Sequence, residues 1–242
     1  MIVRYRMISY SPNMLKTFEQ CPQKYWLKYE NKIIIPQKAS TFETGKKIHA
    51  LANYYLRGDN IEKLEKTLNS EEQKIWNQLK NNQYFQMDYV NSEYSLSCKV
   101  GEYWVGGRLD ALVKKEKDYY ILDYKTGSIP KNPEYDFQTI VYLICLYKNL
   151  KFNEITTQTL SARNDTDNAY CHCEERSDVA ISFVYIDLKN NQNHTIELTP
   201  EKISEYKNRI IQICDEIKQA KYIENIEHTK KCDFCEYKKI CF

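Results

Sequence analysis

The sequence predicts a mixed α/β fold: a central mixed sheet flanked by helices, with a helical N-terminal part and a Cys-rich C-terminal tail. Three observations carry this. Residues 12–86 place apolar side chains at helical spacing, residues 93–126 alternate and are rich in aromatic and β-branched residues, and a strongly apolar helical segment follows from Phe137 to Leu150. Helices, then a run of strands, then a helix and another strand fit a sheet covered by helices.

The elements follow in order. Ser11 is suited to an N-cap and Pro12 to a first helical residue, with Met14, Leu15 and Phe18 on one face. Pro22 interrupts, and Tyr25, Trp26 and Tyr29 resume an aromatic face. In "TFETGKKIHALANYYLRG", Phe42, Ile48, Leu51, Ala52, Tyr55 and Leu56 suit a helix ended by Gly58. Residues 61–86 read as a more polar helical region. Three strands are expected near 93–100, 103–114 and 118–126, with turns at Gly101-Glu102 and Lys115–Lys117. After the helix from Phe137, "EITTQTL" and "ISFVYIDLK" read as strand pieces, "IELT" as a strand end, and Pro200 to Tyr222 as a capped helix. The polar segment 161–182 differs in texture from its flanks. It resembles a peptide encoded by inserted palindromic repeats and reads as a tolerated surface loop, so Cys171, His172 and Cys173 within it are poor candidates for a metal site.

The chain of 242 residues is long enough to bury a sizeable core, and residues 1–242 read as a single domain. Its net charge of +2 excludes a general basic field, so a nucleic-acid partner would need a local patch. There is no long apolar run to span a membrane and no signal-peptide core at the start, so a cytoplasmic protein is expected. Nine cysteines in such a chain point to metal ligation or burial rather than a disulfide framework.

The chemistry concentrates at "VGGRLDALV" and "YYILDYKTG". Asp110 and Asp123 are each expected at the end of an alternating run, where neighbouring strands can bring them together as oxygen ligands for Mg²⁺ or Mn²⁺. Lys125 shares a strand face with Asp123. An ammonium there can position a water or stabilise phosphoryl charge. On residue types alone the pair could equally be a surface ion pair, worth little. His49 could be a core histidine, and Gln138 with Tyr142, four apart on one helix face, a core-edge pair. Cys232, Cys235 and Cys241 form C-x2-C-x5-C, and the first two have metal-ligand spacing. Cys21 is the candidate fourth ligand, for zinc or an iron–sulfur centre.

Taken together, "SYSPNMLKTFEQCPQKYWLKY", "GKKIH", "GGRLDAL", "ILDYKTG" and "FQTIVYLICLY", in this order, resemble the PD-(D/E)XK nuclease superfamily, in particular its RecB-like branch. The resemblance implies a restriction-endonuclease-like core over about residues 42–200 and a metal-dependent DNA nuclease, by analogy an exonuclease on DNA ends or single strands. It implies repair, recombination or foreign-DNA processing as the setting, and a helicase or repair complex as a partner. Asp110, Asp123, His49 and the Tyr124 backbone carbonyl would hold Mg²⁺ or Mn²⁺, and Lys125 would be the catalytic lysine. Gln138 and Tyr142 would face the site, contacting DNA or steadying the lysine, and Tyr124 and Tyr142 could stack on unpaired bases. Glu93 matches an acidic position of some members only loosely. Relatives of the AddB and CRISPR-associated types bind a [4Fe–4S] cluster through one early and three late cysteines. The resemblance thus favours such a cluster at Cys21, Cys232, Cys235 and Cys241 over Zn²⁺. The alternative is a non-catalytic DNA-binding or assembly subunit with a nuclease fold.

Overall fold

A computed structural model describes residues 9–36, 43–161, 179–222 and 227–242, with the backbone alone for 152–161. The chain begins with a short strand, β1 (Ser9–Tyr10), and helix α1 (Pro12–Gln20). Ser11 caps α1 by accepting from the Met14 N–H at 3.3 Å, and Pro12 opens it. Helix α2 (Pro22–Tyr25) runs into a π-helical turn, Trp26–Glu30. Helices α3 (Glu43–Leu56), α4 (Glu62–Glu65) and α5 (Ser70–Lys80) follow. A reciprocal capping box between Asn69 and Glu72 fixes the start of α5.

Strands β2 (Asp88–Val100), β3 (Tyr103–Lys115) and β4 (Asp118–Lys125) form an antiparallel meander. Helix α6 (Phe137–Ser161) then crosses over to β5 (Ile181–Asp187), which lies parallel to β4, and β6 (Gln192–Glu197) returns antiparallel to β5. Helix α7 (Pro200–Gln219) packs against α6, and the tail ends in α8 (Lys238–Cys241). The sheet is mixed, in the order β1-β3-β4-β5-β6, with β2 along the other edge of β3.

Two cores clothe the sheet. On one face α1, α6 and α7 cover Leu96, Val105, Leu109, Ile121, Phe183 and Tyr185. On the other, Ile48 and Leu51 of α3 and Trp76 and Leu79 of α5 cover Ala111, Val113, Leu122, Tyr124 and Val184. Ile140, Val141, Leu143, Ile144 and Cys145 of α6 are fully buried. Such a helix has apolar residues on every side because it is enclosed on every side. Each buried aliphatic side chain contributes about 1.5–3 kcal/mol of transfer free energy. Cys98, Cys145 and Cys214 are buried among these apolar residues.

The mixed α/β fold with a helix-flanked mixed sheet is the one the sequence predicts, with corrections of detail. "EITTQTL" is not a strand but the last part of α6. Its β-branched residues favour a strand, but intrinsic propensity is weaker than continuation of an already docked helix. The first long strand starts at Asp88, five residues before the expected point. Ile181 and Ser182, expected at the end of an inserted loop, lie in β5 and pair with Tyr119 and Tyr120. The rest of that loop, with Cys171, His172 and Cys173, lies outside the described residues, as does Phe42. Among the described residues, no helix is long and apolar enough to cross a membrane.

Candidate active site

Strand register builds the site. Ser92 pairs with Ala111 and Tyr94 with Leu109, which puts Glu93 opposite Asp110. Ala111 pairs with Leu122, so the next position across puts Asp110 opposite Asp123. Glu93, Asp110 and Asp123 therefore form one row across β2, β3 and β4. The row sits where the sheet is irregular. The β2–β3 register shifts between Tyr89 and Asn91, and Glu93 has a left-handed backbone, φ 49°, a conformation that costs a residue with a Cβ about 1–2 kcal/mol. On β3, Val105 and Leu109 face the first core while Ala111 and Val113 face the second. All four are odd-numbered, so the strict alternation of a strand breaks at Asp110. Asp110 lies in the middle of β3, rather than at the end of a run as the sequence suggests. The break is what exposes an acidic group from a central strand.

Helix α3 brings His49, anchored by the buried Ile48, Leu51 and Ala52. His49 Nδ1 lies 3.2 Å from Asp110 Oδ1, and Nε2 lies 3.0 Å from the Tyr124 carbonyl oxygen. The second Asp110 oxygen accepts from the Tyr124 N–H at 3.1 Å. Burial pulls the His49 pKa down, but the hydrogen bond and charge of Asp110, with the charge of Asp123, outweigh it and raise the imidazole above its ordinary value. The Asp123 side chain is only 4% exposed. Burial, then the charge of Asp110, pushes its carboxyl up to about 7 against the opposing pull of Lys125.

Lys125 Nζ stands 2.8 Å from Asp123 Oδ2 and donates to Gln138 Oε1 at 3.3 Å. Gln138, in the first turn of α6, donates through Nε2 to Asp123 Oδ1. One amide thus holds both the carboxylate and the ammonium. Asp123 Oδ2, despite its close ion pair, has no aligned hydrogen-bond donor.

A divalent cation fits this set. Among the described residues, the one trio of metal-ligating side chains with ligand atoms all within 4.8 Å is His49, Glu93 and Asp110. His49 and the Tyr124 carbonyl, which lie 3.0 Å apart, would offer a cation one nitrogen and one oxygen ligand once the imidazole is neutral. Asp123 Oδ2 is a buried acceptor still lacking an aligned donor. Asp123 itself is not in the close trio. It leans to Lys125, while Glu93, the weakest sequence match, takes the third place and also pairs with Arg108 at 2.8 Å.

Tyr142 lies behind the row rather than in it. Its hydroxyl donates to the Arg108 carbonyl at 2.9 Å, and a Cβ on Gly107 would meet that hydroxyl at 2.8 Å. Only glycine lets this ring brace β3 so closely. Tyr124 and Tyr142 are 2% and 6% exposed, which rules out the expected stacking of either ring on a base. Tyr124 packs instead against His49 and Phe85. Lys46, Arg108 and Thr126, not singled out in the sequence, line the cleft of about 1210 Å³ above the row. Asp136 was also missed. It accepts from the Gln138 N–H at 3.0 Å and pairs with Lys16 of α1, so it anchors the start of α6. Its place directly before an apolar helix was a readable cap signal.

The tail packs back on the N-terminal helices. Lys24 pairs with Glu236 at 3.0 Å, and the buried Tyr237 donates to the Ile33 carbonyl at 2.7 Å. Cys21 Sγ accepts from the Lys24 N–H at 3.4 Å, and Cys232 Sγ from the Thr229 N–H at 3.4 Å. Burial, then the charges of Cys235, Cys21 and Cys232, raises the Cys241 thiol. The other three cysteines are thus near Cys241.

A mixed sheet carrying an acidic row, with a lysine two residues beyond the last carboxylate, defines a restriction-endonuclease-like fold. The family model described as the PD-(D/E)XK nuclease superfamily matches residues 9–93 and 80–242, and the chain belongs to this superfamily of metal-dependent phosphodiester hydrolases. No curated protein matches it. Among solved structures, it is similar to a Eubacterium rectale protein described as "Putative exonuclease", with 10% identity over 93% of this chain and 92% of that one, at a TM-score of 0.48. It is also similar to a protein named SSO0001, with 15% identity over 95% and 94% of the two chains and a TM-score of 0.31.

Proposed function

We propose that this protein is a Mg²⁺- or Mn²⁺-dependent deoxyribonuclease that degrades DNA from ends or as single strands, within repair, recombination or foreign-DNA processing. The observation that carries the reading is the juxtaposition of Lys125, held by Asp123 and Gln138, with the His49–Glu93–Asp110 trio. His49, Asp110, Asp123 and the Tyr124 carbonyl, joined by Glu93, would hold the cation, which when bound supplies Lewis-acid charge to the phosphodiester and to the attacking water. Lys125 Nζ then stands where it can orient that water or neutralise charge on the phosphoryl oxygens. Gln138 keeps the ammonium from swinging into solvent. Arg108 and Lys46 at the cleft wall offer charge to flanking phosphates, so binding weakens with salt.

Residues 1–242 act in this reading as a single nuclease domain in the cytoplasm, with a helicase or repair complex as partner. Cys21, Cys232, Cys235 and Cys241 would ligate a [4Fe–4S] cluster that ties the tail to α2. A zinc ion at about 2.3 Å from each sulfur would draw the sulfurs to within roughly 4 Å of one another. Among the described residues the cysteine thiols contribute no trio within 4.8 Å.

The nuclease test is degradation of end-labelled single- and double-stranded DNA by wild type and Lys125→Ala with Mg²⁺ or Mn²⁺ under anaerobic conditions. DNA binding without cleavage by the wild type under either metal would refute the reading and favour a non-catalytic subunit. The cluster test is colour and composition. A brown protein with about four iron and four sulfide per chain is expected, and a colourless protein with one zinc would overturn the assignment.

A further inference from the structure

At the turn end of β2 and β3, away from the acidic row, lies a groove of about 540 Å³ lined by Lys99, Trp104, Tyr147, Lys148, Lys151 and Lys207. Lys99 and Trp104 are cross-strand partners. Lys151 and Lys207 both lie over the Tyr147 ring, at 4.8 and 5.5 Å from its centre. Lys148 is held in place by donating to the Lys99 carbonyl. Cys98 also lines the groove, its thiol shifted down by its contact with Cys145 against the upward pull of burial, with smaller downward pulls from the charges of Lys148 and Lys207.

The charge distribution is selective. Lys16, Lys24, Lys47, Lys80, Lys202 and Lys238 each pair with a carboxylate. Among the described residues, none of Lys99, Lys148, Lys151 or Lys207 does so, and no acidic residue lines the groove. In a chain of net charge +2, four lysines without a carboxylate partner, lining one groove with an indole, form a local patch rather than part of a general field. Trp104 is 36% exposed. Interleaved lysines and an open aromatic ring are what a single nucleic-acid strand needs, with ammonium groups tracking phosphates and a flat face for a base.

We propose that this groove is a second binding site for a single DNA strand, which holds the part of the substrate lying beyond the cleft. Asp110 and Trp104 are six residues apart on β3, so the groove lies about 20 Å from the acidic row along the strand. The groove lies on the α6–α7 face and the cleft on the α3–α5 face, so a long strand reaches both by passing around β2, the edge strand, and a trinucleotide bound at the row does not fill the groove. The choice of DNA rests on the nuclease reading above, but the binding itself does not require cleavage.

The test uses the full chain carrying Lys151→Gln and Lys207→Gln, in two arms. In the first, affinity for a strand of about thirty nucleotides is measured with chelator present, across a salt series. Loss of two phosphate contacts makes the log–log salt dependence shallower by about 1.4, and affinity at low salt falls about tenfold or more. In the second, cleavage of that strand by the variant falls while cleavage of a trinucleotide stays at the wild-type level. Trp104→Ala weakens binding several-fold and Trp104→Phe restores it, which separates stacking from a folding defect. Unchanged affinity and salt slope in the double variant would overturn the proposal and leave the patch to an acidic protein surface. If the wild type cleaves nothing, the nuclease reading fails, while the chelator arm still decides the groove.

Discussion

The acidic row and the cysteine tail are two gathered sets of candidate ligand groups, held by opposite means. Asp110 and Asp123 come from adjacent strands of one hairpin, and backbone register sets them side by side whether or not an ion is bound. Cys21 and Cys241 come from opposite ends of the described chain. Among the described residues, their side of the molecule is joined by the partly buried ion pair Lys24–Glu236 and by the hydrogen bond from Tyr237 to Ile33. The row stores its cost inside the fold, as a buried carboxyl pushed up to about 7 and a left-handed Glu93. Apart from Tyr237, the tail leaves its apolar side chains open, with Phe234 94% exposed. A metal should therefore be a passenger at the row and part of the structure at the tail.

Four experiments bear on that contrast. The largest effect is expected at the row. Lys125→Ala should lower kcat about 10²–10⁴-fold, with a melting temperature within a few degrees of wild type. A collapse of the fold would show that the row, too, depends on its charged groups for structure. Next comes the tail. Cys21→Ser should lose the bound iron and lower the melting temperature by about 5–10 °C, as expected for 2–3 kcal/mol in a chain of this size, while Mn²⁺ binding at His49 and Asp110 persists by titration calorimetry. Loss of both metals together would erase the distinction. Gln138→Ala is a smaller perturbation of the row, because it frees Lys125 without removing it. A fall of about 10–100-fold in kcat is expected, with KM nearly constant, and Gln138→Glu should not restore it. The smallest effect is Lys24→Met. That pair is partly solvated, so chemical denaturation of the metal-loaded protein should register no more than about 1 kcal/mol. A larger loss would mean that side chains rather than a cluster hold the tail.

The two regions also differ in how far the sequence reveals them. The pairing of Asp123 with Lys125 was legible because the spacing D-x-K on a strand fixes a shared face, and the structure puts Lys125 beside Asp123. Glu93 was only loosely legible. Its approach to Asp110 depends on a register shift and a left-handed residue, which no side-chain pattern announces. Tyr124 and Tyr142 show the limit from the other side. Both are aromatic residues near a charged motif, but Tyr124 points into the α3–α5 core and Tyr142 is spent on a backbone carbonyl. The "EITTQTL" run was misread because local propensity cannot sense that α6 is already docked along the sheet.

By itself, the sequence determined the order of helices and strands, the strand carrying Asp123 and Lys125, and the helix carrying Gln138, because hydrophobic period and cap residues act over a few neighbouring positions. Tertiary structure alone decided that α3 delivers His49 to Asp110 and Tyr124, that Gln138 clamps Asp123 to Lys125, and that Glu93 closes the trio. It also decided that four lysines from β2, α6 and α7 line one groove with Trp104. Each of these depends on the distances between separately formed elements, which are set by core packing and strand register rather than by any local pattern.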